Sequence, residues 1–293
     1  MANDFGELTS KAVGVLLKEM VRRAIETIKA SQFSFEAKEK TNPLSGNGDI
    51  VTSVDLEVQK LYLHLIQTCL PDFGIIAEED SLRIDEHKRF CLTIDPLDGT
   101  RAFIRGQSHG VGTMIALLDG DKISSAYIGD VNTKEIFGYR PNGTKVHHVS
   151  QYNVGRELLA DATIKLADQH LLTRFSPTSF SESTRRFFKI DSRKSLFEGF
   201  EIGSGSIGME FTRLWKREVG GILIRPLTVT PWDFNPIVGI SENLGYKFYK
   251  LNSKKVEPLT WKGIRDYTKI DEEVLICHES RRDEVQEFLR LNS

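Results

Sequence analysis

Asp95-Pro96-Leu97-Asp98-Gly99-Thr100 puts two carboxylates, a glycine turn and a hydroxyl into six residues. The run before it, Phe90-Cys91-Leu92-Thr93-Ile94, has the short apolar character of a buried strand, and Pro96 and Gly99 mark a sharp turn. Asp95 is then expected at the carboxyl end of the strand and Asp98 on the turn beside it. The amides of Gly99 and Thr100 would open the next segment, where unpaired N–H groups attract an anion. Paired carboxylates beside such a nest are what a hard cation needs to bridge protein and phosphate oxygens. An ordinary Asp/Gly turn is the alternative reading of this stretch alone.

Three further segments decide between these readings: Gly48-Asp49-Ile50-Val51-Thr52-Ser53-Val54-Asp55, Ile75-Ile76-Ala77-Glu78-Glu79-Asp80 and Pro231-Trp232-Asp233-Phe234-Asn235-Pro236. Together, and in this order, the four segments resemble the signature set of the inositol monophosphatase-like superfamily of metal-dependent, lithium-sensitive phosphatases. The resemblance runs from the first helix to about Gly245. It implies a five-layer α/β/α/β/α sandwich, an arrangement of mixed α+β and α/β character.

The resemblance also implies roles, residue by residue. Glu78 and Asp95, with the backbone carbonyl of Leu97, would hold one Mg²⁺. Asp95, Asp98 and Asp233 would hold a second, and a third, weaker ion would share Glu78, with Glu79 nearby. Thr100 hydrogen-bonded to Asp55 resembles the family's water-activating pair, with Glu78 placing the same water. Gly99 and Thr100 would hold the phosphate, and Ser204 and Gly205 of Gly203-Ser204-Gly205-Ser206 would meet substrate hydroxyls. The expected cofactor is therefore Mg²⁺, two or three ions, and the expected partner a small phosphorylated metabolite. A homodimer is also expected.

Blander readings stand beside these. Asp55 suits a helix cap with Thr52, Glu78-Glu79-Asp80 suits a solvated acidic loop, and Trp232 suits a packing anchor. Arg101 and Arg105 follow the phosphate nest and could meet substrate or pair with surface acids. Haloacid-dehalogenase-like phosphatases carry a second Asp two residues after their nucleophile, where this chain has Leu97; the spacing favours attack by water. A catalytically silent regulatory protein is the remote alternative. Gly99-Thr100-Arg101-Ala102-Phe103-Ile104 looks closest to histidinol-phosphatase-like and nucleotidase-like members, although nucleotidases commonly have an acid at the position of Ala102. Pro226, where inositol-specific members often have a glutamate, and Asn243-Leu244 argue against inositol specificity.

The 293 residues suffice for one or two domains, and the reading divides them at 1–150 and 151–293. With 39 basic and 41 acidic residues, the formal charge of −2 argues against a protein that coats nucleic acid. Cys69, Cys91 and Cys277 are scattered, with no zinc spacing or disulfide framework. No signal-peptide pattern or membrane-length apolar run is present, so a cytoplasmic location is expected.

Apolar residues from Val13 to Ile28 recur at helical spacing and predict a helix over 6–30. The polar segment Ser31 to Gly48 reads as a mobile loop. A helix is expected over 55–70, strands over 73–77 and 221–224, and helices over 207–214 and 235–244. Asp119-Gly120 is a hairpin turn between strands over 111–118 and 122–128, and a further strand is expected over 134–139.

Overall fold

The computed structural model describes residues 5–41, 48–160, 163–190, 195–252 and 255–292. Its helices are α1 (Ser10–Ala30), α2 (Ser53–Cys69), α3 (Thr100–Ile104), α4 (Glu182–Arg185), α5 (Ile207–Trp215), α6 (Pro231–Asn243) and α7 (Arg282–Leu291). One sheet has eight strands in the spatial order Gly155–Glu157, His147–Val149, Ile136–Tyr139, Lys122–Asp130, Gly112–Asp119, Phe90–Asp98, Gly74–Ala77 and Arg83–Ile84. A second has six, in the order Gly199–Ile202, His170–Thr173, Gly221–Ile224, Glu273–His278, Tyr246–Asn252 and Lys255–Pro258.

Alternation along the strands fixes the layers, because successive side chains point to opposite faces. In Gly112–Asp119, Ile115 and Leu117 pack with Val21, Ile25, Val58 and Tyr62 of α1 and α2. Met114 and Ala116 point the other way, into a core shared with Phe211 of α5, Ile237 of α6 and Ile222 and Ile276 of the second sheet. The far face of that sheet presents Leu223 and Leu275 to Phe187, Phe188 and Val285. Helices, sheet, helices, sheet and helices follow in turn, so the five-layer expectation holds. Both faces of the central strands are covered, which is why they read as unbroken apolar runs.

The predicted boundaries need three corrections. The strand at residue 90 does not end at Ile94: its pairing with Gly112–Asp119 continues to Asp98, with a register shift between Asp95 and Asp98. The helix expected from Asn235 begins at Pro231, because a proline in the first turn loses nothing and Thr230 caps it. Pro236 lies inside this helix. The segment 31–48 was expected as a loop, yet Ala37–Thr41 pairs antiparallel with Gly48–Thr52. Lys38, Glu39 and Lys40 leave that hairpin with no apolar period, so its strands are silent in sequence; residues 42–47 lie outside the described residues.

Candidate active site

The register shift in Phe90–Asp98 builds the centre of the site. Asp95 pairs with Met114 and Asp98 with Gly112, so three steps on one strand oppose two on the other. Residues three apart in a regular strand face opposite sides; one extra residue turns them to the same side. The carboxylates of Asp95 and Asp98 thereby converge with that of Asp233, with a ligand oxygen from each within 4.8 Å of the others. Glu78 arrives from the neighbouring parallel strand, where Ala77 pairs with Ile94 and the Glu78 amide donates to the Ile94 carbonyl at 3.1 Å.

Each acid is held by its own element. The hydroxyl of Ser206 and the amides of Ile207 (3.2 Å) and Gly208 (2.8 Å), at the start of α5, donate to Asp98. The Leu97 amide donates to Asp95 Oδ1 at 2.9 Å. Asp233 sits in the first turn of α6, its Oδ2 accepting from Thr230 Oγ1 at 2.7 Å. Gly99 is left-handed (φ 91°), and a Cβ there would lie 2.3 Å from the Gly110 carbonyl, so only glycine lets the chain turn from the strand into α3.

Thr100 Oγ1 lies 3.0 Å from Asp55 Oδ1 and 3.2 Å from the Leu97 carbonyl. The two readings of Asp55 prove compatible. Its Oδ2 completes a capping box with Thr52, accepting from the Thr52 amide at 2.7 Å and from the Thr52 hydroxyl, while Oδ1 faces Thr100. Asp55 is 1% exposed and stands behind Thr100, which lines the cavity.

That cavity has a volume of about 420 Å³ and is lined by Glu78, Asp95, Leu97, Asp98, Gly99, Thr100, Ser204, Gly205 and Asp233. Each residue expected to hold Mg²⁺, phosphate or substrate hydroxyls in the two main ion sites and the substrate loop therefore lines it, and Asp55 supports Thr100, which does. Arg101 and Arg105 line it too, and Trp232 packs against Tyr267 with ring centroids 5.8 Å apart.

The acidic loop reading fails at Glu79, which is 2% exposed. Lys40 of the hairpin reaches Glu78 Oε1 at 3.1 Å and the Glu79 oxygens at 2.8 and 3.0 Å. Burial depresses the Lys40 ammonium, and the two glutamates more than reverse this, holding its pKa above the usual lysine range. Lys40, Arg174 and Glu210 were missed, and Ser206 was quoted in its loop without a role of its own. Charge alternation in 37–41 was the one signal available for Lys40; the other three act through partners distant in sequence, which no spacing reveals.

The electrostatics of the metal-free cluster are those of crowded acids. Burial, then repulsion from Glu78, Asp98 and Asp233, raises Asp95 well above the usual carboxylate range. Burial, then Asp98 and Glu78, pushes Asp233 up to about 7. Burial raises Asp98 against the pull of Ser206 and the α5 amides. Such a group of oxygen donors, desolvated and mutually repelling, fits a hard divalent cation with a small all-oxygen shell.

A linkage prediction follows. Acids with raised folded pKa values bind more protons folded than unfolded, so in the metal-free protein stability falls as pH rises from about 4 to about 7, the range between the ordinary and the raised pKa of Asp233. Mg²⁺ competes with those protons for the same oxygens. Its upward shift of Tm is expected to be larger at pH 8 than at pH 5.5 by thermal fluorimetry. An equal shift at both pH values would place the ion away from this cluster.

Residues 11–283 match the sequence profile of the inositol monophosphatase family. The chain is 28% identical over 189 residues to the Nus factor SuhB of Vibrio cholerae, covering 64% of this chain and 67% of that one. The structure of the extragenic suppressor protein suhB from Bartonella henselae superposes with a TM-score of 0.70 at 18% identity, covering 95% and 98% of the two chains. An IMPase/NADP phosphatase solved in complex with Mg²⁺ and phosphate superposes with a TM-score of 0.68 at 17% identity, covering 95% of each chain. The chain belongs to the inositol monophosphatase family. Membership makes it a phosphatase of that family. Among the described residues, no helix is long and apolar enough to cross a membrane.

Proposed function

We propose that the protein hydrolyses the phosphomonoester of a small polyol- or sugar-like metabolite by direct attack of water. The observation that carries this reading is one cavity holding a converging carboxylate cluster and Thr100, whose hydroxyl is backed by the buried Asp55. Glu78, Asp95, the Leu97 carbonyl, Asp98 and Asp233 are the residues that would hold Mg²⁺. When bound there, Mg²⁺ supplies positive charge for the phosphate and leaving oxygens and lowers the pKa of a water.

The chain's own groups do the rest. Thr100 Oγ1 donates to Asp55 Oδ1, which leaves its lone pairs for a proton from water; the Thr100 proton can pass to Asp55 as the water is deprotonated. Burial raises Asp55, making it a stronger base than a solvated aspartate. Glu78 fixes the water from the end of the neighbouring parallel strand, and the start of α3 at Gly99 and Thr100 faces the phosphate. No protein–phosphate bond forms, consistent with Leu97 where a phospho-aspartate mechanism has its second acid.

Ala102 is 2% exposed and a Cβ on Gly205 would stand 3.2 Å from the Ala102 methyl group. An acid common to nucleotidases is thus replaced by a small methyl group packed against this loop. Phosphate release is expected from at least one of inositol 1-phosphate, histidinol phosphate, fructose 1,6-bisphosphate and 3′-phosphoadenosine 5′-phosphate, with Mg²⁺ and not with EDTA. Li⁺ addition and light scattering on the same sample read out the lithium sensitivity and homodimer that belong to this reading. Release at equal rates in EDTA would reject a Mg²⁺-dependent reaction.

A further inference from the structure

Arg101, Arg105 and Arg174 also stand in the wall of the cavity. Arg101 and Arg105 are exposed, whereas Arg174 is fixed from behind. It follows directly on the strand His170–Thr173, and its Nη2 donates to the Gly205 carbonyl at 2.7 Å. Its Nε lies 3.6 Å from Glu210 Oε1 on α5.

Glu210 is 5% exposed, and its Oε1 has no hydrogen-bond partner. Burying a carboxylate is unfavourable unless a cation faces it, and Arg174 is the cation in reach. Gly203 makes the room, since a Cβ there would lie 2.6 Å from that same oxygen. Gly205, which holds the other side of the guanidinium, abuts Ala102 and Gly110 next to the phosphate-facing turn. Arg174 is thus braced in the wall of the same cavity as Gly99 and Thr100, and Gly205 and Glu210 engage only part of its five N–H donors.

Two divalent ions would offset Glu78, Asp95, Asp98 and Asp233; Glu210 faces Arg174 only on its Nε side, so the rest of the guanidinium, with the exposed Arg101 and Arg105, would then face the substrate. A planar guanidinium fork matches the oxygens of a phosphate or carboxylate. A neutral polyol gives it no counter-charge, and an amine repels it. We propose that Arg174 is a specificity residue that receives a second anionic group, phosphate or carboxylate, on the alcohol part of the substrate. This assignment of bis-anionic phosphate esters rests on the phosphatase reading above.

The test compares fructose 1,6-bisphosphate with fructose 1-phosphate and fructose 6-phosphate on the Mg²⁺-loaded protein. Wild type is expected to favour the bisphosphate in kcat/KM by roughly 10–100-fold, the range of a lost charge-assisted contact. Arg174→Gln should collapse that ratio through KM, Arg174→Lys should restore part of it, and Glu210→Gln should lower it by loosening Arg174. Equal kcat/KM for the three esters, an unchanged ratio in Arg174→Gln, or a preference for histidinol phosphate would each overturn the proposal. Should no ester turn over, the phosphatase reading fails by itself, and calorimetric titration of the bisphosphate still decides this one. Binding weakened roughly tenfold or more by Arg174→Gln supports it, and equal binding rejects it.

Discussion

Asp95→Asn is expected to abolish phosphate release while raising the melting temperature of the metal-free protein. The two effects have one origin. Asp95 is 2% exposed and stands against three other acids whose repulsion, added to burial, raises its pKa. Replacing the carboxylate with its neutral isostere removes that repulsion and keeps an oxygen for the Leu97 amide. A gain of about 1 kcal/mol would raise Tm by a few degrees in a chain of this size. The charge that destabilises the empty site is the charge a divalent cation requires, so turnover should fall on the order of 10³-fold or more, about 4 kcal/mol. Mg²⁺ should stabilise the variant less than wild type. Asp233→Asn is expected to behave in the same way, since Thr230 can still bond to its amide oxygen. Circular dichroism, thermal melting and phosphate release on one preparation decide the matter: near-wild-type turnover in a folded Asp95→Asn protein removes the residue from the mechanism.

Local signals were legible where the chain's own neighbours decide the structure. The strand Gly221–Ile224 falls at its expected residues, Gly74–Ala77 begins one residue late, and the hairpin expected at Asp119-Gly120 turns one residue later, at Gly120-Asp121, with Asp119 paired to Lys122. Each has an apolar run or turn residues with a direct physical meaning. The metal-type carboxylates were found through the resemblance of their four segments to a family's signature set, which does not show how they meet. Asp95 and Asp98 share a face only because their strand carries one residue more than its partner, and a bulge is a property of two strands. The Lys40 hairpin was invisible because both strands are largely polar and only their pairing shows them. Glu79 sits in an acid run, yet Lys40, 39 residues away, and Gln59 bury it. Arg174 and Glu210 were silent for the same reason: on separate elements each looks like a surface charge, and only the close approach of Gly203 and Gly205 makes them a pair.

Thr100 and Asp55 are expected to behave as a single catalytic unit, and the capping role of Asp55 sharpens the test. One carboxylate oxygen serves the Thr52 amide and hydroxyl at the start of α2, and the other serves Thr100. In Asp55→Asn only one oxygen remains, so the amide can accept at the cap or from Thr100, but not at both. Loss of the cap costs about 1 kcal/mol and shows in Tm; loss of the Thr100 contact shows in kcat. Thr100→Ala leaves the cap intact and should leave Tm close to wild type. Each single variant is expected to lower kcat by roughly 10²–10⁴-fold, the range for a lost proton-transfer group. Their rate losses should not multiply, because a proton that passes from water through Thr100 to Asp55 is stopped equally by removing either station. Thr100→Ser keeps the hydroxyl and should recover most of the rate. Mg²⁺ affinity, read by titration of Tm, should change less than in Asp95→Asn, since neither side chain belongs to the oxygen cluster. A double variant whose rate loss is the product of the two singles would separate the roles, leaving Asp55 as the cap of α2 alone and Thr100 without a base behind it.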